Sequence, residues 1–199
     1  MKYKDVVSKV KVYGLKESFK ASKYPMATDL KKLNDEVTNT IKSLAASSIG
    51  SGHDNFLNGI IVQFDLCFSN KAWVEMQRYH FIDFVSSQST MHRITKFDLD
   101  KAYIKYVDKA IIKRMKELVN EYNKLHSINP KDPKLNDLYL KILYSNPAGF
   151  RLSARMTTNY RQLKTIYHQR KNHRLPEWKA FCEFIKTLPY ANIFIKEAE

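Results

Sequence analysis

The stretch on which the fold turns is Phe150-Arg151-Leu152-Ser153-Ala154-Arg155-Met156-Thr157-Thr158-Asn159-Tyr160-Arg161-Gln162-Leu163. Phe150, Leu152, Ala154 and Met156 alternate with polar residues, the period of a strand with one buried face. Beyond Asn159 the period lengthens, and residues 159–171 read as a helix. Asn159 stands at the joint as an N-cap, which places it and Arg161 at the positive end of a helix, a setting suited to phosphate.

Working outward, Ile60, Val62, Phe64, Leu66 and Phe68 alternate as a second strand, entered from the turn-forming Gly50-Ser51-Gly52-His53-Asp54-Asn55. Residues 5–13 end in a short alternating strand. From Thr28 as an N-cap, Leu30, Leu33, Val37, Ile41 and Leu44 recur at three- and four-residue steps and predict an amphipathic helix that ends in the small residues 45–52. After Asn70, the spacing of Trp73, Met76, Phe81, Phe84 and Val85 predicts another helix, with Arg78 and His80 near its middle. The longest helix is expected over 101–125, another from Leu135 to Leu143, and a last one over 176–187 with Pro176 at its first position. No internal repeat is visible. The class is α+β, helix-rich with a small mixed or antiparallel sheet.

With 199 residues, the chain is expected to form one domain over 1–199, or one compact two-lobed unit, with a real hydrophobic core. Five glycines and six prolines are too few and too spread to mark a linker. The apolar run Ile60 to Phe68 is too short to span a bilayer, and the first residues lack the apolar core of a secretory signal. A cytoplasmic location without membrane contact is the expectation. Cys67 and Cys182 cannot form a disulfide framework or a zinc site by themselves; they read as two buried thiols, and no metal is expected. The net charge of +14 would concentrate anions: nucleotides, nucleic acid or an acidic protein. Because the basic residues are dispersed rather than run together, phosphate handling and solubility weigh more than a dedicated DNA groove.

No paired-carboxylate site, Gly-rich phosphate loop or HExxH motif is present. Three polar clusters remain. The first is Gly52-His53 in a loop feeding a strand. The second is Gln77-Arg78-Tyr79-His80, followed by Ser86, Ser87, Gln88, Ser89, Thr90, His92 and Arg93, whose donors suit a phosphate. The third is Asn159, Arg161 and Arg170. Each has a plainer reading: a turn, a snorkelling or ion-paired arginine with solvated serines, and a simple helix cap.

In order along the chain, these clusters resemble the flavin-dependent thymidylate synthases (ThyX). Gly52-His53 followed by Phe56 and a strand resembles that family's Gly-His before Phe-Glu-His, and Arg78-Tyr79-His80 falls where it carries Arg-His-Arg. Thr157-Thr158-Asn159-Tyr160-Arg161-Gln162-Leu163 resembles its Thr-x-Asn-x-Arg-x-Leu. Arg170 falls at a further functional arginine, and Leu175 to Trp178 is similar to the opening of its last helix. Ala21-Ser22-Lys23-Tyr24 is similar to a flavin-side segment. The likeness runs through almost the whole chain and is most specific in the C-terminal block.

The departures are definite. The third arginine of the signature is His80, and after the signature's seven-residue gap stands Gln88 between Ser87 and Ser89, not a serine. Thr90 occupies the place of the last arginine, and Arg93 comes three residues late, so an inserted helical turn would bring Ser86, Gln88 and Arg93 to one phosphate. Leu143 replaces an arginine four residues before Pro147.

The resemblance implies a homotetramer that binds FAD and dUMP, with NADPH and methylenetetrahydrofolate as co-substrates. Among the residues, it implies Arg170 as the catalytic arginine facing the pyrimidine, and Arg78, Ser86, Gln88 and Arg93 on the nucleotide side. His53, His80, Asn159 and Arg161 fall on the flavin side. Three readings stay open: an active methyl-transferring flavoenzyme, a ThyX-like nucleotide binder that does not perform that reaction, and a basic protein that binds nucleic acid or another protein.

Overall fold

The computed structural model describes residues 1–195. Nine α-helices and four strands occur among them, besides five short 3-10 turns. The strands are β1 (Val7–Tyr13), β2 (Ile61–Ser69), β3 (Ile82–Ser87) and β4 (Arg151–Asn159). The helices are α1 (Leu15–Ala21), α2 (Asn39–Ala46), α3 (Asn70–Met76), α4 (Thr90–Arg93), α5 (Lys109–Ile128), α6 (Lys134–Ser145), α7 (Tyr160–Arg170), α8 (Pro176–Lys186) and α9 (Ala191–Phe194). The strands form one antiparallel sheet in the order β1-β2-β4-β3. The α+β, helix-rich class with a small sheet is what the chain adopts. β1 pairs with β2 from Val7↔Leu66 to Tyr13↔Ile61, with a register shift between Ser8 and Lys11. Lys9 takes φ 50° within that irregular stretch, as an extra residue in a bulge must bend away from the ladder.

The chain divides into two compact units. Unit 1 comprises Met1–Leu66, Gln77–Ser86 and the segment from Ala154 onward; unit 2 comprises Cys67–Met76 and Ser87–Ser153.

In unit 1, the period-2 alternation of β2 and β4 buries Val62, Phe64, Leu66, Ala154 and Met156 on one face. Helix α8 supplies Trp178, Phe181, Phe184 and Ile185, all buried, and the Phe64 ring lies 5.6 Å from Phe181 and 5.3 Å from Phe184. Phe194 gathers a second aromatic group, with ring centroids of Phe19 at 5.5 Å and Phe56 at 5.9 Å. The chain turns after β1 at Gly14, whose φ of +75° and 2.3 Å approach of a would-be Cβ to the Gly59 carbonyl oxygen admit no side chain.

Unit 2 has its own core. Met115, Leu118 and Val119 of α5 and Ile142 of α6 pack with Ile94, Leu99, Tyr103 and Phe150. Tyr103 and Phe150 meet edge-on at 5.3 Å, and burial pushes the Tyr103 hydroxyl up to about 12.

Several expected elements differ. Residues 101–108 are not helical; Asp108 caps α5, its carboxylate accepting from the Ala110 N–H at 2.7 Å. The helix expected from Thr28 begins only at Asn39, with Thr38 as its cap, preceded by a single 3-10 turn over Leu30–Lys32. Asn34 diverts that segment, because its side-chain oxygen accepts from the Glu36 N–H and the Lys23 ammonium. The helix after Asn70 stops at Met76, and Ile82, Phe84 and Val85 enter strand β3, as β-branched and aromatic residues favour. Of the two thiols expected to be buried, only Cys182 is; Cys67 sits half-buried on the other face of β2. Burial pushes the Cys182 thiol up to about 12, which leaves it inert.

Candidate functional site

The joint between β4 and α7 is built as its sequence dictates. Asn159 is extended, and its side-chain oxygen accepts from the Gln162 N–H at 2.8 Å, capping α7. Beside it lies a cleft of about 420 Å³ lined by Ile49, Gly50, Asn58, Phe81, Asn159, Arg161, Gln162 and Thr165. Residues near all three sequence clusters thus meet at one place in unit 1: the Gly50 loop, the end of the Arg78 turn, and the start of α7.

Phe81 is unusual in this wall. Its φ is 62°, in the left-handed region that costs a bulky residue about 1–2 kcal/mol, and its side chain is 70% exposed. The Thr158 hydroxyl donates to the Phe81 carbonyl at 2.7 Å and holds the strained backbone in place. An exposed aromatic ring beside an arginine is a surface on which a planar ring system can stack.

Arg161 is held by residues that sequence patterning did not single out. Its Nε donates to Asp54 Oδ1 at 3.0 Å, and Lys164 Nζ donates to Asp54 Oδ2 at 2.9 Å. Asp54 and Lys164 are buried, whereas the Arg161 side chain is one-third exposed. One signal for Lys164 exists in the sequence: it falls on the apolar stripe of α7 with Tyr160, Leu163 and Ile166.

The Arg78-Tyr79-His80 stretch lies in a turn between α3 and β3, not at mid-helix. Arg78 and His80 are exposed and make no hydrogen bond or ion pair with described residues. Tyr79, in contrast, is half-buried and reaches Arg170. Arg170 Nε donates to the Tyr79 hydroxyl at 2.6 Å, and that hydroxyl donates to Gln169 Oε1 at 3.0 Å. The Arg170 guanidinium carbon lies 5.4 Å from the Tyr79 ring centroid and 4.8 Å from that of Trp178. Arg170 is thus held between two aromatic rings, with its planar group oriented by a neutral hydroxyl.

His53 lies outside the Arg161 cleft. It is exposed and lines another cleft of unit 1, of about 650 Å³, together with Ser22, Lys23, Asn34, Thr38 and Leu44. Ser86 is exposed near the end of β3 in unit 1, while Gln88 and Arg93 belong to unit 2. The inserted helical turn expected after Ser86 is not there, because residues 82–87 are extended: three residues in a strand span about 10 Å and alternate faces. In unit 2, Gln88 instead completes a ladder-like pair. Its N–H donates to the Ser153 carbonyl and its Oε1 accepts from the Ser153 N–H, both at 2.9 Å.

Among the described residues, no group of three or more His, Cys, Asp and Glu could hold a metal ion, and no helix is long and apolar enough to cross a membrane.

No protein-family model and no curated protein matches the chain. Solved structures do. One is the flavin-dependent thymidylate synthase ThyX of Helicobacter pylori, complexed with FAD and dUMP: 14% identity, TM-score 0.67, covering 94% of this chain and 97% of that one. Another is PolB of Streptomyces cacaoi, a UMP/dUMP methylase bound with 5-Br dUMP: 14% identity, TM-score 0.60, covering 94% and 92%. The chain therefore has the fold of the ThyX proteins.

Proposed function

We propose that this protein binds a pyrimidine nucleoside monophosphate together with FAD and acts as a flavin-dependent thymidylate synthase, methylating dUMP or a close relative. The observation that carries this reading is the cleft at the start of α7, where Asn159, Arg161 and Gln162 face the Gly50 loop and the exposed Phe81 ring. Its donors suit a phosphate and its ring suits a planar heterocycle, so the residues present fit a flavin nucleotide. In this reading, Asn159 and Arg161 hold the flavin nucleotide, and His53 and His80 are further proposed flavin contacts. Bound flavin would supply hydride, methylenetetrahydrofolate the one-carbon unit, and NADPH the renewed reducing power.

Arg170 is the residue proposed to face the pyrimidine. Its guanidinium offers a planar donor fork to a carbonyl edge as electron density builds on the ring. Arg78 and Ser86 are proposed as nucleotide contacts. No protein nucleophile is required, so a signature without its serine does not exclude the chemistry; the chain's task is positioning and charge stabilisation. A homotetramer in the cytoplasm is the proposed state of the protein.

One observation favours a second reading, a nucleotide binder without the methylation. Tyr79 stands in place of the signature histidine, and its hydroxyl engages the Nε of the proposed catalytic arginine. The purified protein distinguishes the two. A yellow preparation with an absorption band at about 450 nm supports the flavoenzyme; a colourless one that takes up dUMP but no FAD supports the second reading.

A further inference from the structure

We infer that Lys164 and Asp54 are positioning residues for the Arg161 cleft: together they hold the Arg161 guanidinium and the loop from Ser47 to Asp54 as one wall, without touching the ligand. This inference rests on reading that cleft as a phosphate site.

The geometry is closed on the buried side. An ammonium has three N–H donors. Those of Lys164 have three acceptors within reach: the Ala45 carbonyl at 2.8 Å, the Ser47 carbonyl at 2.7 Å and Asp54 Oδ2 at 2.9 Å. Two of these lie at opposite ends of the loop, so a single charge ties its entrance to its exit. Between them, Gly50 at φ +94° and Gly52 at φ +81° take conformations that let the chain double back. Ile49 and Gly50, in the middle of that loop, line the cleft.

The charges explain why a lysine serves here. Asp54 alone would orient Arg161 but also cancel it, and an incoming phosphate would have to compete with the carboxylate. With Lys164 neutralising Asp54 from the buried side, the cluster keeps one net positive charge. That charge sits on Arg161, the one member with substantial exposure. Only the Arg161 Nε is spent on Asp54, and neither terminal amino group bonds to a described residue, so both remain for an anion. Stability alone does not account for the arrangement, since apolar side chains of similar volume hold an interior as well as a buried ion pair does.

The test uses the full chain and titrates FAD, followed by its fluorescence, alongside thermal unfolding. Three variants are compared with wild type: Arg161→Ala, Lys164→Met, and the double variant Asp54→Leu with Lys164→Met. Arg161→Ala is expected to weaken FAD binding about tenfold or more. Lys164→Met should weaken it comparably and lower the melting temperature. The double variant should regain most of that temperature but stay about tenfold weak, because Arg161 keeps its charge and loses its tether. Affinity that returns with the melting temperature in the double variant would make the pair merely structural and overturn the inference. FAD binding unchanged by Arg161→Ala, or absent in wild type, would overturn the phosphate reading of the cleft and the inference with it.

Discussion

Arg161 and Arg170 stand on the same helix, yet the first is held by a buried carboxylate backed by a buried lysine, and the second by two aromatic rings and a tyrosine hydroxyl. A carboxylate fixes direction strongly but takes up charge, so a second cation must stand behind it. Two rings and a hydroxyl fix the plane of a guanidinium by contact and by a single hydrogen-bond direction. The difference suits the two tasks proposed for them: binding an anion for Arg161, and presenting an oriented planar donor to a heterocycle for Arg170.

The two arginine settings should differ most in stability. Removing one partner of the buried pair, as in Lys164→Met, should cost about 3–5 kcal/mol, because it takes away the buried donor to Asp54 Oδ2 and to the Ala45 carbonyl. Arg170→Ala should be the milder of the two and lower dUMP affinity by about 1.5–3 kcal/mol. Thermal unfolding and dUMP titration measured on the same preparations check both. A reversed ranking, with Arg170→Ala the more destabilising and dUMP affinity unmoved, would make Arg170 a structural residue. Arg170→Lys sharpens the point, since it keeps the charge and loses the fork; full rescue of binding would mean that a point charge suffices.

Tyr79→Phe is a finer probe. It keeps the ring near Arg170 and Trp178 but removes the hydroxyl that receives the Arg170 Nε–H. A loss of about 0.5–1.5 kcal/mol in dUMP affinity is expected, with little change in melting temperature.

The smallest effect is a pH dependence. Burial, then the nearby charges of Lys171 and Lys164, hold the His168 pKa below its ordinary value of 6.5. The unfolded chain therefore takes up this proton first, and stability falls as pH drops below that value. His168→Gln should flatten the fall in melting temperature between about pH 7 and about pH 5; an unaltered slope would place its origin elsewhere.

Periodicity separates the elements that the sequence reveals from those that it hides. β2 and β4 were readable because each buries one face, and a period of two has no rival over nine residues. The segment after Asn70 was not, because Trp73, Met76, Phe81, Phe84 and Val85 fit a helical spacing although the chain changes element between them. Asn159 as a cap followed from its residue type. The anchors of the two arginines did not, because Asp54 and Tyr79 are remote in sequence from α7, and nothing local marks a loop aspartate or a turn tyrosine as the partner of a distant helix. Lys164 was recoverable in principle, since a lysine on an apolar stripe must find acceptors inside.

Calorimetric titration of dUMP into the purified protein at low salt asks whether unit 1 recognises a phosphorylated pyrimidine nucleotide, as proposed. Saturable binding is predicted, weakened only mildly when salt is raised, because one monophosphate makes few ionic contacts. No detectable binding at low salt, or a steep salt dependence that appears only with DNA, would contradict the claim and leave the basic surface of this +14 chain to another kind of partner.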